Sequence, residues 1–457
     1  MVKLRTRISS LPVPAVLALV MGAVASAGAQ QALTEQSVTL FTNVRIFDGR
    51  SPKLSPPSNV LVRGNRIERI SLQPIPTDRR ADTAVIDGAG RTLMPGLIDN
   101  HVHIFVSAGT QEELIDPKAT FEELNRKAAA EAKRMLLRGF TTARDMGGPM
   151  FEIKRAADAG NTLGPRIYPS GAMISQTSGH GDSRHPHERS RRFFGTVSKG
   201  EELGVSFIAD GRDEVLTATR ENLRSGASQI KVMAGGGAAS AYDPLDVTQY
   251  TLDEMKAAVE AAEDWGTYVT VHAYTPRAVQ RAVEAGVKCI EHGQLLDEAT
   301  IKLLARKGVW LSLQSLDEAP PSAPEHVREK KHAVVQGTDD AFKWAKQHKV
   351  KLAWGTDFLF NPDQNENQNA EILKLQQWFR NAEILRLITH DNAQLLALSG
   401  PRNPYPGKLG VVEEGALADL ILVDGDPLAN LDLVADPGKN FVVIVKDGRV
   451  HKNTLKP

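Results

Sequence analysis

Cysteine is almost absent from this sequence, since Cys289 is the single one among 457 residues. An intrachain disulfide is therefore excluded, and stability has to come from a packed core. Cys289 lies in the apolar run 287–290, which favours a buried small hydrophobic residue over a reactive thiol. The sequence also lacks a net charge, because 55 Lys and Arg residues balance 55 Asp and Glu residues. This balance excludes a whole-protein field that draws the molecule to nucleic acid or to an anionic membrane.

Long apolar stretches are missing from most of the chain, so no later segment is predicted to span a membrane, which takes about 20 apolar residues. The start of the chain differs: Lys3, Arg5 and Arg7 precede an apolar stretch over 11–24 that is followed by small residues. This layout predicts a secretory signal peptide over residues 1–29, and hence an exported protein that is periplasmic or secreted. A membrane anchor is the alternative, which the shortness of the stretch and its two prolines disfavour.

The two ends of the remaining chain, 30–93 and 400–457, consist of short strand-like segments separated by glycine-containing turns. Residues 59–67 and 441–450 show the composition and spacing of antiparallel strands. Neither end has enough strands to bury a core by itself. The sequence therefore predicts one small β-sandwich domain that is built from both chain ends.

The central residues, 94–399, alternate amphipathic helical segments with short apolar runs. Helical segments at 122–138, 214–225, 252–264 and 341–348 each lead into an apolar run. Repeated helix and strand over this length predict an α/β fold with a parallel sheet, and a closed TIM-like (β/α)8 barrel is the first choice. An open doubly wound sheet is the alternative, which the lack of a glycine-rich phosphate fingerprint at the first strand disfavours.

Side chains that bind metal ions follow the predicted barrel strands. The first strand, 93–99, runs into His101 and His103, and residues two apart in a strand face the same side, so both imidazoles can reach one ion. Further candidates stand near the carboxyl ends of later strands, where the catalytic groups of a barrel converge: Lys231, His272, His292 and Asp357. Taken singly, a histidine at a strand end is typical of a hydrogen-bonded core residue, and an aspartate of a turn. A buried unpaired lysine is costly, and all six residues together indicate a metal site.

The segments that carry these residues resemble those of the amidohydrolase superfamily, in its imidazolonepropionase-like branch. The resemblance covers essentially all of the chain after the predicted signal peptide. It rests on the segments MPGLIDNHVH (94–103), GFTTARD (139–145), QIKVM (229–233), VHAY (271–274), IEHG (290–293) and GTD (355–357), and on the tail 407–420. Together these motifs are specific, and they imply a metal-dependent hydrolase barrel over 94–399.

The resemblance also implies that Lys231 is carbamylated by carbon dioxide, so that a cation becomes a carboxylate that bridges two metal ions. It assigns the remaining ligands as His101, His103 and Asp357 for one ion, and His272 and His292 for the other. Nitrogen and oxygen donors suit zinc, with manganese, cobalt or iron as alternatives. Two cations lower the pKa of a bridging water, and Asp357 is expected to take its proton and pass it to the leaving nitrogen. A homo-oligomer is implied as well.

Three residues are predicted to read the substrate. Tyr274 follows His272 by two positions and so faces the same side, where its hydroxyl can support a developing oxyanion; a packed aromatic is the alternative. His180 lies in the polar, glycine-containing loop 178–182, where a substrate loop is expected. Arg277 is a candidate for a substrate carboxylate, with an ordinary arginine at the start of a helix as the alternative.

Export, the VHAY motif and the loop around His180 are most similar to peptidase-like members of the superfamily, such as Xaa-Pro dipeptidases, and to enzymes that hydrolyse N-acyl amino acids, ochratoxin among them. The resemblance thus implies cleavage of an amide that joins an acyl group to a C-terminal amino acid. A cyclic amide, as in imidazolonepropionases or hydantoinases, is the second hypothesis. A non-catalytic metal-binding or solute-binding barrel is the third, and the retention of all six metal-site positions disfavours it.

Overall fold

The computed structural model describes residues 37–77, 83–240 and 242–455. The predicted signal peptide over 1–29 lies outside these residues. Within them, no helix combines the length and the apolar character that crossing a membrane requires.

Strands occupy both ends of the described chain and alternate with helices through its centre. In chain order, the strands are β1 (Val38–Ile46), β2 (Ser58–Arg63), β3 (Arg66–Ser71), β4 (Thr83–Asp87), β5 (Thr92–Pro95), β6 (Leu97–Val102), β7 (Phe140–Asp145), β8 (Arg166–Pro169), β9 (Met173–Ser175), β10 (Ser206–Ile208), β11 (Ile230–Met233), β12 (Val269–Ala273), β13 (Cys289–His292), β14 (Trp310–Leu313), β15 (Lys351–Trp354), β16 (Leu420–Val423), β17 (Phe441–Lys446) and β18 (Arg449–Asn453). The α-helices are α1 (Ile104–Ser107), α2 (Gln111–Ile115), α3 (Phe121–Leu137), α4 (Phe151–Asp158), α5 (Lys199–Glu202), α6 (Arg212–Ser225), α7 (Leu252–Trp265), α8 (Pro276–Ala285), α9 (Glu298–Lys307), α10 (Glu325–Gln347), α11 (Asn381–Arg386), α12 (Asn392–Leu396), α13 (Asp432–Ala435) and α14 (Pro437–Asn440). Short 3-10 turns span Arg191–Phe193, Pro362–Asn367, Ala370–Gln377 and Ala397–Arg402, and a π-turn spans Leu387–Asp391.

Strands from both chain ends share one sheet. Its order is β18-β17-β16-β5-β1-β2-β3, and β4 pairs with β1 outside this path. The late strand β16 pairs antiparallel with the early strand β5, and apolar side chains of both ends, among them Val60 and Leu420, pack into a common core. The two ends therefore join in one β-unit, and its sandwich arrangement stays a prediction.

The centre of the chain forms two parallel sheets, one of strands β6-β7-β8 and one of strands β10-β9-β11-β12-β13-β14-β15. The predicted α/β class with parallel strands is confirmed. The closed (β/α)8 barrel stays a prediction: within the described residues, backbone ladders do not join β8 to β11 or β15 to β6.

Buried side chains bridge both of these interruptions. The Asn392 amide, in α12, donates to the carbonyls of Ile98 in β6 (2.7 Å) and Trp354 in β15 (2.9 Å), and its oxygen accepts from the Trp354 N–H (3.0 Å). Just before β11, the Gln229 amide donates to the carbonyl of Tyr168 in β8 (2.8 Å). Amide side chains therefore take the place of the missing ladder hydrogen bonds and hold the sheets edge to edge.

Helix α7 shows how local sequence places a strand end. Its first turn is closed by a capping box between Thr251 and Glu254, and its last turn ends at Gly266, whose φ of 80° suits a residue without a side chain. Strand β12 begins three residues later. The predicted helix over 252–264 agrees with α7. The helix predicted over 341–348 is only the last part of α10, which begins at Glu325. The first half of α10 was missed because few of its residues are buried, so it lacks a clear apolar face.

The first predicted strand, 93–99, is in fact divided between two sheets. The division falls at Gly96, where a side chain would overlap Thr141, with its Cβ 2.1 Å from the Thr141 hydroxyl oxygen. Residues before Gly96 belong to β5 in the mixed sheet, and those after it belong to β6 in the parallel sheet. This close approach packs the junction between β5 and β6 against β7, the neighbour of the strand that leads to His101.

We expect Asn392→Ala to lower the free energy of unfolding by about 2 to 4 kcal/mol, because it leaves backbone groups of β6 and β15 buried without partners. Urea unfolding followed by circular dichroism measures the loss. The exposed Asn367 provides the control, since Asn367→Ala should change stability by less than about 0.5 kcal/mol. An Asn392→Ala protein as stable as the wild type would show that other contacts hold the two edges together.

Candidate metal centre

Three predicted ligands lie together at the carboxyl end of β6. The Nε2 atoms of His101 and His103 are 3.3 Å apart, and they lie 3.3 and 3.4 Å from the same carboxylate oxygen of Asp357. One ligand atom from each side chain lies within 4.8 Å of the other two. Two imidazole nitrogens and a carboxylate oxygen that converge in this way form a suitable set for a divalent cation.

The other three predicted ligands line the same buried cavity. The Lys231 Nζ lies 3.4 Å from His101 Nε2. The ring of His292 lies 5.1 Å from that of His101 and 4.4 Å from that of His272, measured between centroids. The structure therefore brings all six residues into one place, around the Asp357 carboxylate.

Backbone conformation explains how His292 reaches the cavity. Its neighbour Glu291 already points inward from β13, and strict alternation along the strand would turn His292 outward. His292 instead has a φ of 77°, which redirects the side chain, and Asp357 has a φ of 54°. Positive φ is uncommon for residues other than glycine and is concentrated at functional sites.

Lys231 lies further from the carboxyl end of its strand than predicted. It is the second residue of β11 and not the last, and its long side chain spans the remaining distance to the histidines. It is fully buried, and this burial lowers the pKa of its ammonium group. The neutral amine is thereby favoured, and that is the form that can react with an electrophile.

Each of the four histidines has one ring nitrogen committed to an oxygen acceptor. Nδ1 of His101 donates to Glu291 (2.9 Å), Nδ1 of His103 to the Gly147 carbonyl (3.3 Å), Nδ1 of His292 to Gln314 Oε1 (2.7 Å), and Nε2 of His272 to the Gly236 carbonyl (3.1 Å). The other nitrogen of each ring is left with a lone pair, as metal ligation requires. Burial also lowers the pKa of His101 to about 4 and that of His292 to about 3, so both rings are neutral near pH 7. The side chains present therefore fit divalent metal ions.

A buried network behind His101 was not recognised in the sequence. Glu291 accepts from His101 with one carboxylate oxygen and from Arg144 (2.7 Å) and Thr270 (2.5 Å) with the other. Burial opposes ionisation of Glu291, but Arg144 and His101 hold its pKa well below the ordinary value. Arg144 and Glu291 both lie in the motifs quoted above. A charged residue inside an apolar strand indicates a buried ion pair or hydrogen-bond network, and this signal could have identified them.

The three predicted substrate residues have different surroundings. The ring of His180 stacks on His272 with centroids 4.1 Å apart, and His180 lines the cavity. Tyr274 is buried in an apolar cluster with Ala238 and Val334, and its ring lies 5.0 Å from His272 and 5.1 Å from His292. It is not among the described residues that line the cavity. Arg277 is exposed in the first turn of α8 and is not among the described residues that line the cavity. The helix turns Arg277 to solvent while its neighbours face the core, so the ordinary interpretation of a helix-start arginine is the one the structure favours.

The cavity is lined by both apolar and polar side chains. The apolar ones include Val106, Ile115, Met173, Val205, Leu359 and Phe360. Beside the predicted metal ligands, the polar ones include His180, Asp182, Ser240 and Asp243. The lining can therefore contact both apolar and polar parts of a ligand.

Comparison with known proteins gives consistent matches. The model of the amidohydrolase family matches residues 92–451. An ochratoxinase from Aspergillus niger is 30% identical over 371 residues, which cover 79% of this chain and 75% of that protein. An imidazolonepropionase from Shewanella sediminis is 22% identical over 430 residues, covering 88% of this chain and 96% of that protein. A crystal structure of a prolidase complexed with N-methylphosphonate-L-proline has a TM-score of 0.82 and 33% identity, covering 92% of this chain and 100% of that one.

We expect Glu291→Gln to weaken zinc binding by about 10- to 100-fold, because the amide disturbs the hydrogen bonds that orient His101. Competition with a chromogenic chelator measures the affinity without any assay of activity. The matched control is Glu284→Gln, since Glu284 is exposed on α8. Equal zinc affinity in the wild type and Glu291→Gln would refute the orienting role of Glu291.

Proposed function

Because the chain belongs to the amidohydrolase family, we propose that it is a metal-dependent hydrolase that cleaves the amide bond of N-acyl amino acids or of dipeptide-like substrates. The observation that carries this proposal is the convergence of His101, His103 and Asp357 in a cavity that polar and apolar side chains line. The prolidase and the ochratoxinase support it by their similarity to this chain.

The ligand set we propose is binuclear. His101, His103 and Asp357 would hold one ion, His272 and His292 the other, and a carbamate on Lys231 would join them. The carbamate forms when the neutral Lys231 amine attacks the carbon of carbon dioxide and releases a proton, and burial of the amine favours that neutral form. When bound, divalent ions such as zinc supply a water of lowered pKa and polarise the scissile carbonyl.

Asp357 is the proposed proton carrier. Burial opposes its ionisation, but His101, His103 and His292 hold the pKa of this carboxyl below its ordinary value. An ionised Asp357 can take a proton from the attacking water and release it to the leaving nitrogen, which departs as an amine. Its proximity to His101 and His103 fixes the carboxylate at the reacting centre.

Tyr274 is the proposed donor to the developing oxyanion. Burial raises the pKa of its hydroxyl, and the charges of Asp357 and Asp243 raise it further, so the group stays protonated and can donate a hydrogen bond. Its ring packs beside His272 and His292, on the side of the second proposed ion. A donor placed at the carbonyl oxygen strengthens its contact as negative charge develops there.

The composition of the cavity lining suggests how the substrate lies. Its apolar side chains suit an apolar acyl group, and the polar side chains around His180 suit the amino-acid part with its carboxylate. We therefore place the acyl group against Met173 and Phe360, and the leaving amino acid against His180. A cyclic amide remains the second hypothesis, because the imidazolonepropionase matches over 430 residues.

Several further features belong to this proposal. We infer a (β/α)8 barrel in which Asn392 and Gln229 close the two interruptions of the sheet. Export through the signal peptide over 1–29 and assembly into a homo-oligomer are proposed from the sequence.

The direct test of the proposed function is a panel of N-acyl amino acids, matched primary amides and cyclic amides. We expect hydrolysis of N-acyl amino acids in the presence of zinc, at least about tenfold more efficient than hydrolysis of the primary amides, because the amides lack the carboxylate. A chelator should abolish turnover, and added zinc should restore it. Hydrolysis of the cyclic amides alone would move the second hypothesis to first place.

A second test concerns Lys231. If its carbamate joins the ions, Lys231→Ala should lose most bound metal and at least about 100-fold in kcat/KM, and a short carboxylic acid should restore part of both. Metal content by mass spectrometry and turnover are measured on the same samples. Lys288→Ala, at an exposed position, is the control. Normal metal content and turnover in Lys231→Ala would refute the assignment.

A further inference from the structure

Three residues outside the proposed metal ligands converge on His180. Its backbone N–H donates to Gln249 Oε1 (3.0 Å), and its ring nitrogen Nδ1 lies 3.0 Å from Ser240 Oγ and 3.5 Å from Asp243 Oδ2. One face of the imidazole stacks on the ring of His272. The ring is therefore held from its backbone, from one edge and from one face.

The hydrogen bonds around Ser240 determine which atom donates. The Ser240 hydroxyl donates to the Gly237 carbonyl (3.2 Å), so its oxygen serves as an acceptor toward His180. Asp243 accepts as well, since its Oδ2 receives the Gly237 N–H (2.7 Å). Two acceptors at Nδ1 place the proton on that nitrogen, and the other ring nitrogen, Nε2, is left for a ligand.

The loop that carries these acceptors is anchored from α10. The Lys330 ammonium donates to three of its carbonyls, those of Gly237 (3.2 Å), Ser240 (2.9 Å) and Asp243 (2.6 Å). Gly237 is in van der Waals proximity to His180, because a Cβ there would lie 1.8 Å from the ring. The described residues 237–240, 242 and 243, which we call the anchored loop, are thus fitted to one orientation of His180.

We propose that Asp243 is a positioning residue that, through Nδ1, holds the His180 imidazole with Nε2 toward the amino-acid part of the substrate. Asp243 is itself buried, with 2% of its surface exposed, and lines the cavity beside His180. The proposal rests on the role given to His180 in the proposed function. In this role Asp243 contacts neither the proposed ions nor the scissile bond, and it acts through the side chain of His180.

A double-mutant cycle tests this proposal in the zinc-loaded enzyme with an N-acyl amino acid. Asp243→Ala should raise KM by about tenfold and change kcat by less than about threefold, because ground-state positioning of the leaving amino acid is lost. In a His180→Ala background, Asp243→Ala should have no further effect on KM. Additive effects of the two substitutions would overturn the proposal, since a purely structural role of Asp243 adds to any other defect.

The conservative variant separates hydrogen bonding from charge. The contacts with His180 Nδ1 and with the Gly237 N–H share one carboxylate oxygen, Oδ2, so the side-chain amide oxygen introduced by Asp243→Asn can still accept from both. We expect the KM of Asp243→Asn to lie near the wild-type value. Asp243→Asn and Asp243→Ala with equally raised KM would overturn positioning through an acceptor.

Lys330 gives an independent check of the anchored loop. Lys330→Met removes the ammonium that holds three carbonyls and should raise KM in the same way as Asp243→Ala. The adjacent residue of the same helix provides the control, because Lys331→Met leaves these three contacts in place. Equal kinetic constants for both lysine variants would show that the loop does not depend on Lys330.

A spectroscopic readout keeps the proposal testable if the proposed function fails. Proton NMR of the zinc-loaded wild type should show a slowly exchanging imidazole N–H that His180→Ala removes, and Asp243→Ala should shift or broaden it. If the wild type hydrolyses none of the substrates but this resonance depends on Asp243, the proposed function fails and the positioning of His180 stands. A resonance unchanged in Asp243→Ala overturns the positioning itself.

Discussion

The candidate metal centre depends on one constraint. Each of its buried imidazoles must donate its single N–H to an oxygen and leave the lone pair of the other ring nitrogen facing the cavity. Glu291, Gly147, Gln314 and Gly236 provide these acceptors. An unpaired polar group in such surroundings would cost on the order of 1 to 3 kcal/mol. The arrangement of four histidines is therefore maintained by the acceptors behind them, two of which are backbone carbonyls that no side-chain substitution can remove.

Much of the fold follows from periodicity in the sequence. Helix and strand alternate from Leu97 to Trp354 as predicted, and four consecutive helices, α6 to α9, end at a glycine with positive φ such as Gly266. The division of the first strand at Gly96 was not predicted, although Pro95 and Gly96 together are a turn signal. That the two halves join different sheets depends on contacts with distant strands, which the local pattern does not encode. Similarly, the sheet interruptions that Asn392 and Gln229 bridge depend on contacts between distant residues, which local patterns do not encode.

The candidate site divides in the same way. The residue types and their order predicted the group around His101 and Asp357, because parallel strands bring their carboxyl ends to one edge. The redirected backbone of His292 was not predictable from alternation, and Glu291 was not assigned a role because its partners, Arg144 and His101, lie far away in sequence. Arg277 and Tyr274 lie close in sequence to His272, but the first turn of α8 exposes Arg277 and Tyr274 packs in an apolar cluster. Neither is among the described residues that line the cavity.

The contacts of Asn392 also bear on the order in which the chain can fold. The Asn392 amide donates to the carbonyl of Ile98, which lies 294 positions earlier in the sequence. The Asp357 N–H donates to the His101 carbonyl (2.8 Å) across a similar distance in sequence. Contacts of such long range form late, after the intervening loops have been closed. A ribosome-bound chain that ends before residue 357 has His101 and His103 but lacks the carboxylate that completes the proposed set of three ligands. The candidate metal centre can therefore form only after Asp357 has been synthesised.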